Sequence, residues 1–184
     1  KTICLQIKKY SPKIYVITDN NVFQKVKKRF IKKNIKILNN FSEIIKKKKS
    51  DITVAAIPGI AGLNPTVLMT KLSRKVLIAN KESVICGWDI IKKVAKINNT
   101  KIVPVDSEHF SIMRLLENSK LNEIKKIYLT ASGGPFLNYT TKQLKKILPK
   151  DALKHPKWKM GNKITIDSST MMNKILELVE AQKL

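Results

Sequence analysis

Arginine is nearly absent from a strongly basic chain. Of 37 basic residues only Arg29, Arg74 and Arg114 are Arg, so the guanidinium forks that nucleic-acid readers aim at bases and phosphates are missing. Acids are scarce too: 13 Asp and Glu leave the 184 residues with a net charge of +24. The lysines run along the whole sequence, densest at 25–33 and 46–49, beside abundant Ile and Asn. Codons for all three are AT-rich, and we read the charge as base composition displayed on solvated helix faces. It attracts anionic ligands weakly and in a salt-dependent way. A basic nucleic-acid-binding module is the alternative that charge alone suggests, and no binding motif accompanies it.

Cysteine is limited to Cys4 and Cys86, too far apart for a metal-binding spacing. They read as small buried hydrophobes in a reducing compartment rather than a disulfide framework. No apolar run approaches a membrane span, and the N-terminus has no signal-peptide layout, so no membrane association is expected. The first residue is Lys1, which suggests a fragment or a processed chain. Among six glycines there is no G-x-G-x-x-G phosphate loop. Gly59-Ile-Ala-Gly62 comes nearest and has the wrong spacing.

What is present is globular, with 43% hydrophobic residues. Short apolar runs alternate with helical patterns. Strands are expected at 14–18, 35–38, 52–57 (buried), 76–79, 102–105 and 124–130; helices at 22–33, 41–49, 61–72, 81–96 and 108–117. That order marks an α/β chain with a doubly wound, mostly parallel sheet. Beyond Thr130 come a loop at 131–135, a helix at 141–148, an irregular stretch at 151–164 and a final helix from Met171. The texture changes near residue 105, so 1–105 reads as an incomplete Rossmann-like domain and 106–184 as part of an α+β catalytic domain.

Chemistry gathers at the expected strand ends. Asp106 and Glu108 follow the run Ile102–Val105 and lie two apart, on one side of a strand end, where α/β sheets bind ligands. Such an oxygen pair suits Mg²⁺ or Mn²⁺; equally, Asp106 can be an N-cap with Glu108 in the first helical turn. Asn80-Lys81-Glu82-Ser83 follows the run 76–79, and Ser132-Gly133-Gly134 follows 124–130. Consecutive glycines let backbone N–H groups approach a phosphate, or simply make a turn. Asp167-Ser-Ser-Thr170 is expected to precede a helix, as a cap or an anion site. On that helix Asn173 and Glu177 share a face, with Lys174 beside them. His155, next to Trp158, lies in a loop as either a substrate contact or a packed residue. Together, Asp106, Glu108 and Glu177 would hold one divalent cation, while Ser132, Ser168, Asn173 and Lys174 would hold a phosphate.

Five motifs now resemble one family in its own order: Ala79-Asn-Lys-Glu-Ser83, Val105-Asp-Ser-Glu-His109, Leu129-Thr-Ala-Ser-Gly-Gly-Pro-Phe136, His155-Pro-Lys-Trp-Lys-Met-Gly161 and Ile166-Asp-Ser-Ser-Thr-Met-Met-Asn-Lys174. The family is 1-deoxy-D-xylulose 5-phosphate reductoisomerase. The resemblance covers nearly the whole chain, and the chain about the middle half of the family's proteins. It implies NADPH- and metal-dependent rearrangement and reduction of 1-deoxy-D-xylulose 5-phosphate to 2-C-methyl-D-erythritol 4-phosphate, in non-mevalonate isoprenoid biosynthesis. Mg²⁺ or Mn²⁺ would be the metal, with Co²⁺ a further candidate.

By position, Asp106, Glu108 and Glu177 match metal ligands. Lys81, Ser107, Glu108, Ser132, His155, Ser168, Asn173, Lys174 and Glu177 match substrate contacts, with Lys81, Glu108 and His155 as the catalytic set. Asn80, Glu82 and Gly161 match NADPH contacts, so 1–105 would be the incomplete NADPH-binding domain. Trp158 and Met160 match a mobile flap, and His109 is expected to be structural. The family implies a homodimer, in the cytoplasm if bacterial or a plastid if eukaryotic. The family's N-terminal Gly-Ser-Thr-Gly loop and C-terminal part are absent, so this segment alone is expected to be inactive; a non-catalytic remnant is a further alternative. Ile175 stands where the family usually has Gly, and its branched side chain is expected to crowd the phosphate pocket.

Overall fold

The structure is a computed structural model, which describes residues 1–44, 48–154 and 161–184. The chain divides into two compact units, 1–50 and 51–184.

In the first unit, helix α1 (Thr2–Tyr10) precedes strand β1 (Ile14–Val16), helix α2 (Asn20–Arg29) and strand β2 (Lys36–Leu38). The two strands pair in parallel with Ile14 opposite Lys36 and Val16 opposite Leu38. Helix α2 starts where the Asp19 carboxylate accepts the Val22 N–H at 2.8 Å, and Lys27, Lys28 and Arg29 end it, complementing the helix dipole. Its apolar stripe, Phe23 and Val26 with the following Phe30, packs with Ile7, Ile17 and Ile37 as the unit's core. Of the helix expected at 41–49, the described residues show a 3-10 turn, Phe41–Glu43, after which Ile44 is extended. Residues 45–47 lie outside the described residues.

In the second unit, strands β3 (Ser50–Ala55), β4 (Ser73–Ile78) and β5 (Lys101–Pro104) form a sheet in that order. Helix α3 (Leu63–Lys71) links the first two and α4 (Lys81–Ile97) the last two. Strands β4 and β5 are parallel, Val76 opposite Ile102 and Ile78 opposite Pro104, as a helical crossover requires. Ala55, Val76, Ile78, Val84 and Ile91 form the core. The buried strand expected at 52–57 is exposed along one side: Ile52 and Val54 are 55% and 61% accessible, being on a strand at the edge with no layer over that side among the described residues. Cys86 is exposed rather than buried and Cys4 is half-buried.

Asn80 fixes the start of α4. Its side chain is buried, accepts the Ser83 N–H at 2.6 Å and donates to the carbonyls of Ile57 and Gly59. Helix α4 bends at Gly87, whose backbone leaves helical angles. Helix α5 (Ser107–Leu116) follows β5 directly.

Residues 124–130 form no strand, since no described segment pairs with them and an isolated strand has no ladder. Helix α6 (Thr141–Leu144) is shorter than expected, and α7 (Pro149–Ala152) and α8 (Asn162–Ser169) fall partly within the stretch expected to be irregular. The motif Asp167–Thr170 therefore ends a helix instead of capping the next one. Helix α9 (Met172–Ala181) begins at a left-handed Met171 with no side-chain cap, and it packs against α4, α5 and α8.

Candidate active site

Parallel strands β4 and β5 end side by side, and helices α4 and α5 begin there. Helix α9 lies across both beginnings and so brings three polar clusters together.

The first cluster is an ion-pair array centred on Glu177, buried at 2% exposure. Lys81, in the first turn of α4, donates to Asn173 Oδ1 at 2.7 Å and to Glu177 Oε1 at 3.2 Å. Asn173 Nδ2 also donates to Glu177 Oε1. Lys174 pairs with Glu177 Oε2 and reaches Glu108 Oε1 at 3.2 Å. Glu108 takes its other bond from the Ser107 hydroxyl at 2.6 Å. Burial opposes the charge on both partners. The Ser107 and Lys174 bonds nonetheless hold the Glu108 carboxyl below its usual value, and Glu177 and Glu108 raise the Lys174 ammonium.

The second cluster is built on His109, 4% exposed. The N-cap reading of Asp106 holds: it caps α5, accepting the His109 N–H at 2.9 Å, and the same oxygen faces His109 Nδ1 at 2.6 Å. His109 Nε2 faces the Glu177 carbonyl at 2.9 Å, and Glu180 Oε2 lies 3.5 Å from Nδ1. Both ring nitrogens meet acceptors, a geometry satisfied in full only by the protonated ring. Burial disfavours that charge, but Asp106, the Glu177 carbonyl and Glu180 outweigh it and raise the His109 pKa. The reciprocal His109 bonds overcome burial and lower the Asp106 carboxyl. Glu180, buried and next to Asp106, is pushed up to about 7.

The third cluster joins the loop 131–135 to the end of α8. Gly133 and Gly134 take left-handed backbone angles. The Gly134 N–H donates to Ser132 Oγ at 3.3 Å, and its Cα side abuts the backbone of Ser168 and Ser169. Beside these clusters Lys163 joins Glu82 at 2.8 Å to Asp167 at 2.7 Å.

Asp106, Glu108 and Glu177 are thus linked, Asp106 through His109 and Glu108 through Lys174. Among the described residues, Asp106, His109 and Glu180 are the three candidate ligands whose donor atoms all lie within 4.8 Å. His109 is ill suited to ligation, because both its nitrogens already face acceptors. Among the described residues, Asp106 Oδ2 and Glu180 Oε2 are buried and accept no hydrogen bond, and Glu177 Oε2 has only the Lys174 ion pair. Buried carboxylate oxygens left in that state fit a hard cation.

Of the residues matched to NADPH, Asn80 has its side chain engaged in capping α4. Glu82 is half-buried with its carboxyl lowered, the Lys163 bond overcoming burial, and Gly161 has open space where a Cβ would stand. His155, Trp158 and Met160 lie outside the described residues. Ile175 is 53% exposed and, two positions from Glu177 on α9, lies on a different side of that helix. Glu180 and Lys163 escaped the sequence reading, although Glu180 is three residues beyond Glu177 on one helix.

These features define an α/β protein with a carboxylate-and-lysine site, suited to an anionic, metal-associated ligand, at the ends of parallel strands. Family models described as 1-deoxy-D-xylulose 5-phosphate reductoisomerase and as that enzyme's C-terminal domain match residues 1–87 and 102–184. The reductoisomerase of Pelagibacter ubique is 49% identical over 188 residues, covering 100% of this chain and 48% of the relative. A DOX-P reductoisomerase crystal structure with NADPH, fosmidomycin and magnesium superposes with TM-score 0.85 at 35% identity, over 99% of this chain and 48% of that one. The Zymomonas mobilis enzyme with NADPH gives 0.85 at 31% identity, over 100% and 47%.

The chain belongs to the 1-deoxy-D-xylulose 5-phosphate reductoisomerase family. It spans about half the length of the curated relatives it matches. Among the described residues, no helix is long and apolar enough to cross a membrane.

Proposed function

We propose that this chain carries the metal- and substrate-binding part of an enzyme that rearranges 1-deoxy-D-xylulose 5-phosphate and reduces it with NADPH to 2-C-methyl-D-erythritol 4-phosphate. The observation that carries the reading is the buried Glu177 array, where Lys81, Asn173, Lys174 and Glu108 converge from three helices. It sits beside Asp106 with an oxygen unpaired. Asp106, Glu108 and Glu177 would hold Mg²⁺ or Mn²⁺, which when bound supplies Lewis-acid polarisation of substrate oxygens. Asn80, Glu82 and Gly161 would contact NADPH, which when bound would supply the reducing equivalent.

This chain's own residues bind and orient. Lys174, with Ser132, Ser168 and Asn173, holds the phosphate and fixes the sugar while its carbon skeleton rearranges. Lys81, restrained by Asn173 and Glu177, places a cation where negative charge develops on substrate oxygen. Ser107 orients the Glu108 carboxylate, and His155 contacts the substrate. The division into a cofactor part over 1–105 and a catalytic part over 106–184, homodimeric assembly, and residence in a bacterial cytoplasm or a plastid belong to the same proposal, on the strength of family membership.

The test is Glu108→Gln in the full-length protein, followed by loss of NADPH absorbance with substrate and Mg²⁺. Turnover should vanish while circular dichroism is unchanged. Retained turnover removes Glu108 from the site, and no turnover by the unaltered protein overturns the reading.

A further inference from the structure

The third cluster gives Gly134 a role separate from turn-making. Its backbone is left-handed, with φ +66°, and it is buried. A Cβ there would stand 2.9 Å from the Ser168 carbonyl oxygen and 3.0 Å from Ser169 Cα. Those are backbone atoms at the end of α8 and cannot swing aside as a side chain can. The Gly134 N–H meanwhile donates to Ser132 Oγ at 3.3 Å. One residue therefore touches both serines assigned to the phosphate, fixing the Ser132 oxygen from one side and seating the loop on Ser168 from the other. Gly133 provides the contrast. Its backbone is also left-handed, with φ +78°, but the three atoms nearest a Cβ there would all belong to the Leu137 side chain, from 2.7 Å outward. Leu137 is 68% exposed and free to turn away.

We propose that Gly134 is a positioning residue for the substrate phosphate: the missing side chain lets loop 131–135 dock on the end of α8 and sets the spacing of the Ser132 and Ser168 hydroxyls. This rests on the reading that these serines bind the phosphate. Hydroxyl donors act on a phosphate only over a few tenths of an ångström, and relieving a Cβ held 2.9 Å from a backbone oxygen moves the loop by a comparable amount.

The experiment compares Gly134→Ala with Gly133→Ala in the full-length protein. Both substitutions carry left-handed strain, so strain alone affects them alike. Gly134→Ala should raise KM for the phosphorylated sugar about tenfold or more, the size of one lost hydrogen bond to a charged group. KM for NADPH should stay within about twofold, and Gly133→Ala should leave both near the unaltered values. Equal effects from the two variants, or an unchanged KM in Gly134→Ala, overturn the proposal. If Gly134→Ala does not fold, Gly134→Asn replaces it, because Asn tolerates left-handed angles yet still carries the colliding Cβ. Failure of both to fold while Gly133→Ala folds makes Gly134 purely structural and also overturns it. Inorganic phosphate binding by calorimetry separates this from the wider reading. If the unaltered protein turns over no sugar, weaker phosphate binding in Gly134→Ala alone still supports the docking role, and unchanged binding refutes it.

Discussion

His109→Ala in the full-length protein, unfolded by urea in metal-free buffer, tests the centre of the second cluster. The substitution removes the ring contact with Asp106 at 2.6 Å and the bond to the Glu177 carbonyl at 2.9 Å. The first joins an imidazolium to a carboxylate and is worth about 1.5–3 kcal/mol; the second contributes about 1 kcal/mol. Asp106 keeps its cap on the residue-109 N–H, so it is not left wholly unpaired, but Glu180 loses the ring that stood 3.5 Å from its Oε2. With the void left by a ring that is 4% exposed, the expected loss is about 3–5 kcal/mol.

The loss should depend on pH in one direction. The folded-state pKa of His109 is raised, so its electrostatic contribution is complete below the ordinary imidazole value of about 6.5. It fades as pH rises through the raised folded value. Measured at pH 6 and pH 9.5, the gap between the two proteins should be larger at pH 6. A loss below about 1 kcal/mol at both pH values refutes the hydrogen-bond assignment. Equal losses at the two show that a neutral ring merely packs there.

Glu180→Gln should stabilise the protein at pH 8 by about 1–3 kcal/mol, with the gain shrinking as pH falls from about 7 toward the ordinary carboxyl value near 4.5. The sign follows because a raised carboxyl pKa favours the folded state only while the group is protonated; urea midpoints across pH check it. Lys174→Met should raise KM for the phosphorylated sugar more than KM for NADPH, since the side chain faces Glu108 and Glu177; an equal rise in both separates it from the phosphate. Asn80→Ala removes the cap on Ser83 and two donors to the Ile57 and Gly59 carbonyls, and should cost about 2–4 kcal/mol in thermal or urea unfolding.

The α/β class was legible in the sequence, and so was the gathering of several polar residues around Glu177. Asp106, Glu108, Asn173, Lys174 and Glu177 were readable because strand-end placement and helical spacing are local rules, and α9 then brings them to α4 and α5. Residues 124–130 carry a sound strand pattern and form none, because a strand exists only with a ladder partner and period-two alternation says nothing about where that partner is. Helix α8 was hidden for the opposite reason. Asn162–Ser169 mixes Asp and Ser, which favour caps and turns, with β-branched Ile and Thr, which lose side-chain freedom in a helix, and packing against α9 favours the helix. His109 shows the same limit within the site. Its sequence position supported a structural role, but that it ties the Asp106 side chain to the Glu177 backbone depends on two helices 68 residues apart in sequence. A residue can be structural and still set the geometry of a reactive centre when the groups it holds are candidate ligands. For His109 the distinction is measurable: if the ring only supports the fold, His109→Ala will lose stability without weakening Mn²⁺ binding, whereas a positioning ring loses both together.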